Sequence, residues 1–312
     1  MIYDAHSHIG VDAFHFLPST IEGYLQKAEK LNIDEANLMP VPSPVYTDIS
    51  GTIIKPLTWK FEDNSFHHYK IEKNEDIIFK NCSLNPYSEF NNLLRNNLLN
   101  QSEELKLNFI PLIHPIYDRT DYVNSLLDLN PRAVKIHGIA SGIFPEQTRS
   151  ELLELFSQRK IPVIIHTDFY TKDPREPIEL LYKNNTASRW LSLFQENSVK
   201  AYITHGARLE KNAFDIINNS DLFVVGLSPD ILITNEPKRL SRNLPYLETI
   251  LDEIDINKIC FDLDYSWNLI NRENSKLDLT LPERLKDILS SKNLSSVLYD
   301  NANNFFNSST NL

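Results

Sequence analysis

Short apolar runs alternate along the chain with segments whose apolar residues recur at helical spacing. The runs are 1–6 (MIYDAH), 35–41 (EANLMPV), 108–114 (NFIPLIH), 132–138 (RAVKIHG), 161–167 (IPVIIHT), 199–205 (VKAYITH), 222–228 (LFVVGLS) and 258–264 (KICFDLD). Several are nearly continuous in Val, Ile, Leu and Phe, the composition of strands buried on both faces of a parallel sheet. Between them, Thr20–Leu31 puts Ile21, Tyr24, Leu25, Ala28 and Leu31 on one helical face. Ser150–Gln158 does the same with Leu152, Leu153, Leu155 and Phe156. Leu209–Asn218, Leu244–Ile254 and Leu281–Leu289 behave similarly, and Ser295–Phe306 reads as an extra helix on the outside. Eight strands, each with room for a helix after it, predict an α/β fold: a (β/α)8 barrel of parallel strands, one domain over residues 1–312.

One segment breaks the rhythm. Residues 43–80 form a long loop insertion after the second strand and hold Trp59, Phe61, Phe66, His67, His68 and Tyr69. A connection of this length is usually functional or mobile. Its place after a strand puts it over the mouth of a barrel as a lid or pocket wall; a peripheral subdomain packed on its own aromatics is the alternative.

Composition narrows the function classes. The formal net charge is −11, with no basic block, so phosphate contacts and a nucleic-acid partner are not expected. Seven glycines and no Gly-rich fingerprint argue against a phosphate-cradling loop. No apolar run reaches the roughly 18 residues of a membrane span, and the start MIYDAHSHIG has no signal-like stretch, which makes a cytoplasmic location the expectation. Two cysteines, Cys82 and Cys260, make neither a disulfide framework nor a zinc cluster, and Cys260 reads as a buried thiol. The expected partner is a small-molecule substrate, with a homodimer as the candidate assembly.

The chemistry gathers at the ends of the runs. In His6-Ser7-His8, side chains at i and i+2 point the same way on a strand, so both imidazoles reach one ion. His166 ends the fifth run, His205 the sixth and Asp264 the eighth, each where a polar group without a partner is costly. A parallel barrel brings all these ends to one centre. Lys135 and His137 are also i and i+2, Arg208 follows His205 and can hold a carboxylate, and Asp168 can orient His166. Asp230 follows the seventh run as a candidate substrate contact. His114 ends the third run and reads as a hydrogen-bonded structural histidine, while His15, His67 and His68 read as solvated loop residues.

The ordered stretches YDAHSHIG, AVKIHG, PVIIHTD, YITHGAR and CFDLDYS, with LYDNANNFF at the end, resemble the amidohydrolase superfamily. The resemblance is nearest its amidohydrolase-related branch of small metal-dependent hydrolases and aminocarboxymuconate-semialdehyde decarboxylase, and it runs from residue 3 to 306. It implies a divalent metal on His6, His8, His166 and Asp264, with His205 as a second-metal ligand or an acid/base beside one metal. Lys135 matches a position that is a carboxylated, bridging lysine in binuclear members and unbridged in others, so one or two ions are expected. Two departures stand out. The family's Gly-Ser-Asp or Gly-Thr-Asp is here Asp262-Leu263-Asp264, where the apolar run favours Asp264 and Asp262 shares its face, and the usual following proline is Ser266. A nucleic-acid hydrolase of the TatD type would carry a metal-binding Glu where this chain has Lys135.

A His-rich set with a carboxylate puts zinc first among the ions. Such an ion makes hydroxide available near neutral pH. Asp264 then takes the water's proton and passes it to the leaving group, and His205 polarises the scissile carbonyl. Lys135, His137 and Arg208 are the candidate substrate contacts. The function expected is hydrolysis of an amide, lactone or ester in a small carboxylate-bearing molecule. Metal-dependent non-oxidative decarboxylation is the alternative, and a catalytically inactive binding barrel a third.

Overall fold

The computed structural model describes residues 1–11, 18–41, 46–47, 53–54, 58–62, 65–71, 79–81, 85–99, 105–138, 140–141, 143–167, 183–228, 247–265 and 277–307. All eight expected strands are present: β1 (Tyr3–Val11), β3 (Glu35–Pro40), β9 (Lys106–Phe109), β10 (Val134–Ile136), β11 (Val163–Ile165), β12 (Ala201–Ile203), β13 (Phe223–Leu227) and β14 (Ile259–Phe261). They form two parallel sheets, β1-β3-β9 and β10-β11-β12-β13-β14, and the short β2 (Pro18–Ser19) adds antiparallel to the end of β1.

Hydrogen bonds join the edges of the two sheets. Beyond β9, Leu112 pairs in parallel with Lys135, with Lys135 N–H on Pro111 O and Ile113 N–H on Lys135 O, both at 2.8 Å. On the other side, Asp264 N–H donates to His6 O at 2.9 Å and Leu263 N–H to the Asp4 carboxylate at 2.9 Å.

The helices cover one face. α1 (Ile21–Leu31) starts where Thr20 Oγ1 accepts Gly23 N–H, and it buries Ile21, Tyr24, Ala28 and Leu31. α2 (Ser88–Leu98), α3 (Thr120–Leu127), α4 (Ser150–Gln158), α5 (Ala187–Glu196) and α6 (Lys211–Asn218) follow. Strand residues Val163, Ile165, Ala201, Ile203, Val225 and Phe261 pack with them in the larger core. The alternate residues form a second cluster drawn from both sheets: Tyr3, Ala5, Met39, Ile110, Ala133, Ile164, Tyr202, Val224 and Cys260, closed at one end by Ala302, Phe305 and Phe306.

Three features depart from the sequence reading. Residues 43–80 are not a plain loop. They hold a β4 (Tyr46–Thr47)/β5 (Ile53–Ile54) hairpin and, in antiparallel order, β6 (Thr58–Glu62), β7 (Ser65–Ile71) and β8 (Phe79–Asn81). The alternating aromatic and polar residues of TWKFE and SFHHYKI suit a pleated ribbon. Their side chains lie outside the described residues, as does the lid or pocket-wall role. Second, the helix expected from Leu209 begins at Lys211, because His205–Leu209 is a left-handed turn. Third, β1 slips by one residue: Asp4 pairs with Ala36 but Ser7 with Leu38. Such a bulge turns the following side chains to the other face. Ala5 and His6 therefore both face inward, and His8 follows.

The loop after β10 is held from outside. Trp190 Nε1 donates to Asn185 Oδ1 at 3.1 Å, and Asn185 Nδ2 donates to Ile143 O at 2.8 Å. A Cβ on Gly138 would overlap Asn185 Oδ1 and press on the Trp190 ring. Gly138→Ala should cost roughly 1–3 kcal/mol by overpacking. Urea denaturation of the two proteins measures this; equal midpoints would contradict the packing described.

Candidate metal centre

Among the described residues, His6, His8, Lys135, His137, His166, His205 and Asp264 lie at the same end of the sheets. Past the bulge, His6 and His8 project from β1, with ring centroids 4.6 Å apart. Lys135 comes from β10, His137 from its end, His166 from the end of β11, and His205 from just after β12. Asp262 and Asp264 follow β14. His6, His8, Lys135, His205, Asp262 and Asp264 are all buried, and His166 is half-buried.

Asp264 is the centre of the group. Its Oδ1 lies 3.8 Å from His6 Nδ1 and 3.7 Å from His8 Nε2, and its Oδ2 lies 3.8 Å from His205 Nδ1. These are too long for hydrogen bonds. They suit donors that share an ion, since two ligands each about 2.1 Å from a metal stand at most about 4.2 Å apart. The ligand atoms of His6, His8 and Asp264 all lie within 4.8 Å of one another. His6 Nδ1 is buried and has no hydrogen-bond partner among the described residues, as a ligand atom would. His8 Nδ1 lies 3.2 Å from Pro40 O, a contact that fixes the proton there and leaves the Nε2 lone pair toward Asp264. These three residues fit a divalent ion and leave a coordination position open.

His166 joins this group through His205 rather than directly. His205 Nε2 is 3.1 Å from His166 Nδ1, and His205 Nδ1 is 3.1 Å from Ser228 Oγ. The His166 ring stacks on His137 at 3.8 Å and 15°, and His137 Nδ1 accepts Ala140 N–H at 3.1 Å. Lys135 Nζ sits 2.8 Å from His6 Nε2. Arg208 is half-buried, and its Nε donates to Thr167 O at 3.2 Å. His114 is buried, with Nδ1 accepting Ile116 and Tyr117 N–H. Asp168, Asp230, His15, Ser266 and Cys82 lie outside the described residues, as do the side chains of His67 and His68.

Several residues here escaped the sequence reading. Tyr202 donates its hydroxyl to Asp262 Oδ2 at 2.5 Å, and Asp262 Oδ1 stands 3.9 Å from His6 Nδ1. A side chain at position 226 would overlap both the Tyr202 hydroxyl and the Asp262 carboxylate, so Gly226 makes room for the pair. Ser228, at the end of LFVVGLS, has the same strand-end signal as the histidines. Asp4 carries four hydrogen bonds; its one signal is a polar residue inside the first apolar run.

Burial keeps the imidazoles of His6, His8 and His166 neutral. Burial holds His6 and His8 well below their usual value, and the nearby Lys135 charge adds to it. For His166, burial comes first and then His205 and Lys135. Burial pushes Lys135 down to about 7 against the pull of Asp264 and Asp262. Where Lys135 is neutral, its Nζ can accept a hydrogen bond from His6 Nε2–H, the tautomer that leaves Nδ1 a lone pair.

Fold and site together define a parallel α/β protein with a His-His-Asp group at the C-terminal ends of its strands. The same fold occurs in a candidate 2-pyrone-4,6-dicarboxylic acid hydrolase from Pseudomonas putida, with a TM-score of 0.62 and 11% identity over 98% of this chain and 97% of that one. A second such candidate, from Acinetobacter baumannii with citric acid bound, matches with a TM-score of 0.59 and 10% identity over 98% of each chain. An apo structure from Agrobacterium tumefaciens matches at 0.58 and 10% identity, over 98% and 95%. No family model matches the sequence, and neither does any curated protein. At these identities the likeness is one of fold.

The depressed imidazoles set a pH dependence. Below about pH 6.5 the unfolded chain protonates His6 and His8 while the folded chain does not. The metal-free protein should therefore lose stability as pH falls below that value, by about 1.4 kcal/mol per pH unit for each of the two groups. Urea midpoints between neutral and mildly acidic pH measure the slope. A flat profile would show that these rings are not held neutral.

Proposed function

We propose that this chain is a metal-dependent hydrolase of the amidohydrolase superfamily that cleaves an ester, lactone or amide in a small carboxylate-bearing molecule. The observation that carries the reading is Asp264, one oxygen facing His6 and His8 and the other facing His205. We read the two sheets as one closed (β/α)8 barrel in a single domain. The bonds from Leu112 to Lys135 and from Asp264 to His6 support that closure, as does an interior cluster drawn from both sheets.

His6, His8 and Asp264 would hold the ion, zinc first by donor type. His166 enters the set if its ring turns from His205. A divalent ion there supplies Lewis acidity and brings a water's pKa to about 7. Asp264 accepts the water's proton on the oxygen that faces His205 and returns it to the leaving group. His205, with Nδ1 held by Ser228, donates from Nε2 to the carbonyl oxygen as charge develops once the His166 ring has turned from it. Lys135 sits at the floor against His6, and His137 and Arg208 stand as the contacts for a substrate carboxylate. Two proteins of the same fold are candidate hydrolases of a pyrone dicarboxylate, one of them with citric acid bound, and this substrate class fits the proposal.

Asp264→Asn keeps one coordinating oxygen and loses the base. Activity should fall roughly 10²–10⁴-fold with most of the metal retained. Asp262→Asn disturbs the Tyr202 pair and should lower metal affinity roughly 10–100-fold instead. The reverse pattern would transfer the catalytic role to Asp262.

Elemental analysis, followed by a screen of lactones, esters and amides of small carboxylic acids with and without chelator, tests the function. Chelator-sensitive hydrolysis is the expected result. Carbon dioxide release from an aromatic or unsaturated acid would replace hydrolysis by decarboxylation, and a metal-free protein with full activity would sink the mechanism.

A further inference from the structure

We infer that Asp4 is a positioning residue for the metal centre: its carboxylate ties the bulge of β1 to residues 263–265 and so sets Asp264 opposite His6 and His8. The inference rests on the metal reading of those three residues.

Asp4 is fully buried and faces α1, away from the ion's ligands. Its Oδ1 accepts His6 N–H at 3.3 Å and Leu263 N–H at 2.9 Å. Its Oδ2 accepts the Ser7 hydroxyl at 2.6 Å and the Tyr24 hydroxyl at 2.7 Å. A bulge leaves a ladder amide without its partner, and Asp4 takes the His6 amide there. Ser7 Oγ extends the link by accepting Tyr265 N–H at 3.2 Å.

The amides after β14 are thereby all assigned. Asp262 N–H goes to Leu227 O, Leu263 N–H to Asp4, Asp264 N–H to His6 O and Tyr265 N–H to Ser7. Asp264 sits between two of these bonds with φ 46, a backbone state that a non-glycine residue keeps only when its surroundings impose it. The Tyr24 and Tyr265 rings meet edge to face at 5.4 Å, and Gly23 leaves space for the Tyr265 hydroxyl. A carboxylate suits this place because four donors converge on two oxygens. An asparagine satisfies the two amides but turns an NH2 toward two hydroxyls.

Three variants of the full chain separate positioning from general packing: Asp4→Asn, Ser7→Ala and Tyr24→Phe. Affinity for Zn2+ and Co2+ is read by competition with a chromophoric chelator, and ligand geometry by the visible absorption of the Co2+ form. Asp4→Asn and Ser7→Ala should bind roughly 10–100-fold more weakly, with an altered Co2+ spectrum. Tyr24→Phe removes one bond to Asp4 from α1 but keeps the ring against Tyr265 and leaves the Asp4 bonds to the His6 and Leu263 amides in place, so it should lower the melting temperature and keep the wild-type affinity and spectrum. If Asp4→Asn fails to fold, Ser7→Ala decides. Folded variants with wild-type affinity and spectrum would overturn the inference, as would an equal loss in Tyr24→Phe. A wild-type chain that binds neither ion would instead remove the metal reading beneath it.

Discussion

The one-residue slip between Asp4 and Ser7 decides on which side of the sheet His6 and His8 fall. Tyr3 and Ala5 face the inner cluster. Strict alternation from there would turn Ser7 and Ile9 inward and send both imidazoles into the helix layer. The extra residue reverses this, and Ile9 packs with the helix-facing core instead. The slip has a cost, since a buried amide left unbonded is worth about 1–3 kcal/mol. The Asp4 carboxylate removes that cost and reaches the eighth long strand with the same oxygen. The slip and part of the seam between the first and last strands thus run through one side chain, beside the bonds from Asp264 N–H to His6 O and from Tyr265 N–H to Ser7 Oγ.

What that arrangement creates is a buried cluster of imidazoles and carboxylates. The imidazoles of His6, His8 and His166 are held neutral by burial. Neutral rings do not offset the charge of Asp262 and Asp264. Tyr202 takes one oxygen of Asp262, and Lys135 is itself pushed down to about 7. Buried carboxylates are otherwise found paired or coordinating metals. A cation between His6, His8 and Asp264 satisfies the unbonded His6 nitrogen and the facing carboxylate oxygen together.

The fold was largely legible in the sequence because strands buried on both faces write themselves as apolar runs, and all eight appear where the runs lie. The strand ends were legible for the same reason: a histidine or aspartate closing such a run stands out against it. What could not be read is local geometry that leaves no periodic trace. The bulge has no signature in YDAHSH, since Asp, Ala, Ser and the histidines suit a regular strand as well. The left-handed turn after β12 contains Gly206 but also Ala207, Arg208 and Leu209, which by propensity extend the following helix backward. The strands within 43–80 were hidden by polar interruptions that look like loop. Asp4 and Tyr202 act through partners 259 and 60 positions away, and one sequence does not disclose such pairs.

The backbone strain has a pattern of its own. Asn32, Asn130, Lys160 and Ser198 have positive φ just past helix ends, where a left-handed residue is the ordinary way to stop a helix, and Asn85 has it in the turn before α2, where asparagine tolerates it. His205, Ala207, Arg208, Leu209 and Asp264 have no such excuse, and they are the residues around the candidate centre. Left-handed backbone costs roughly 1–2 kcal/mol per non-glycine residue, so this stretch must be held by its surroundings. Thr167 donates its hydroxyl to Thr204 O, its amide meets Thr204 Oγ1, and its carbonyl receives Arg208 Nε. The turn therefore does two things at once. It aims His205 inward at Asp264 and returns Arg208 to the Thr167 carbonyl. A right-handed helix beginning at His205 would carry successive side chains about 100° apart around its axis and would lose the bonds to Thr167 that now fix both groups. Strain at His205, Ala207, Arg208, Leu209 and Asp264 is the backbone counterpart of the buried charge: each is tolerated where the geometry serves the candidate site.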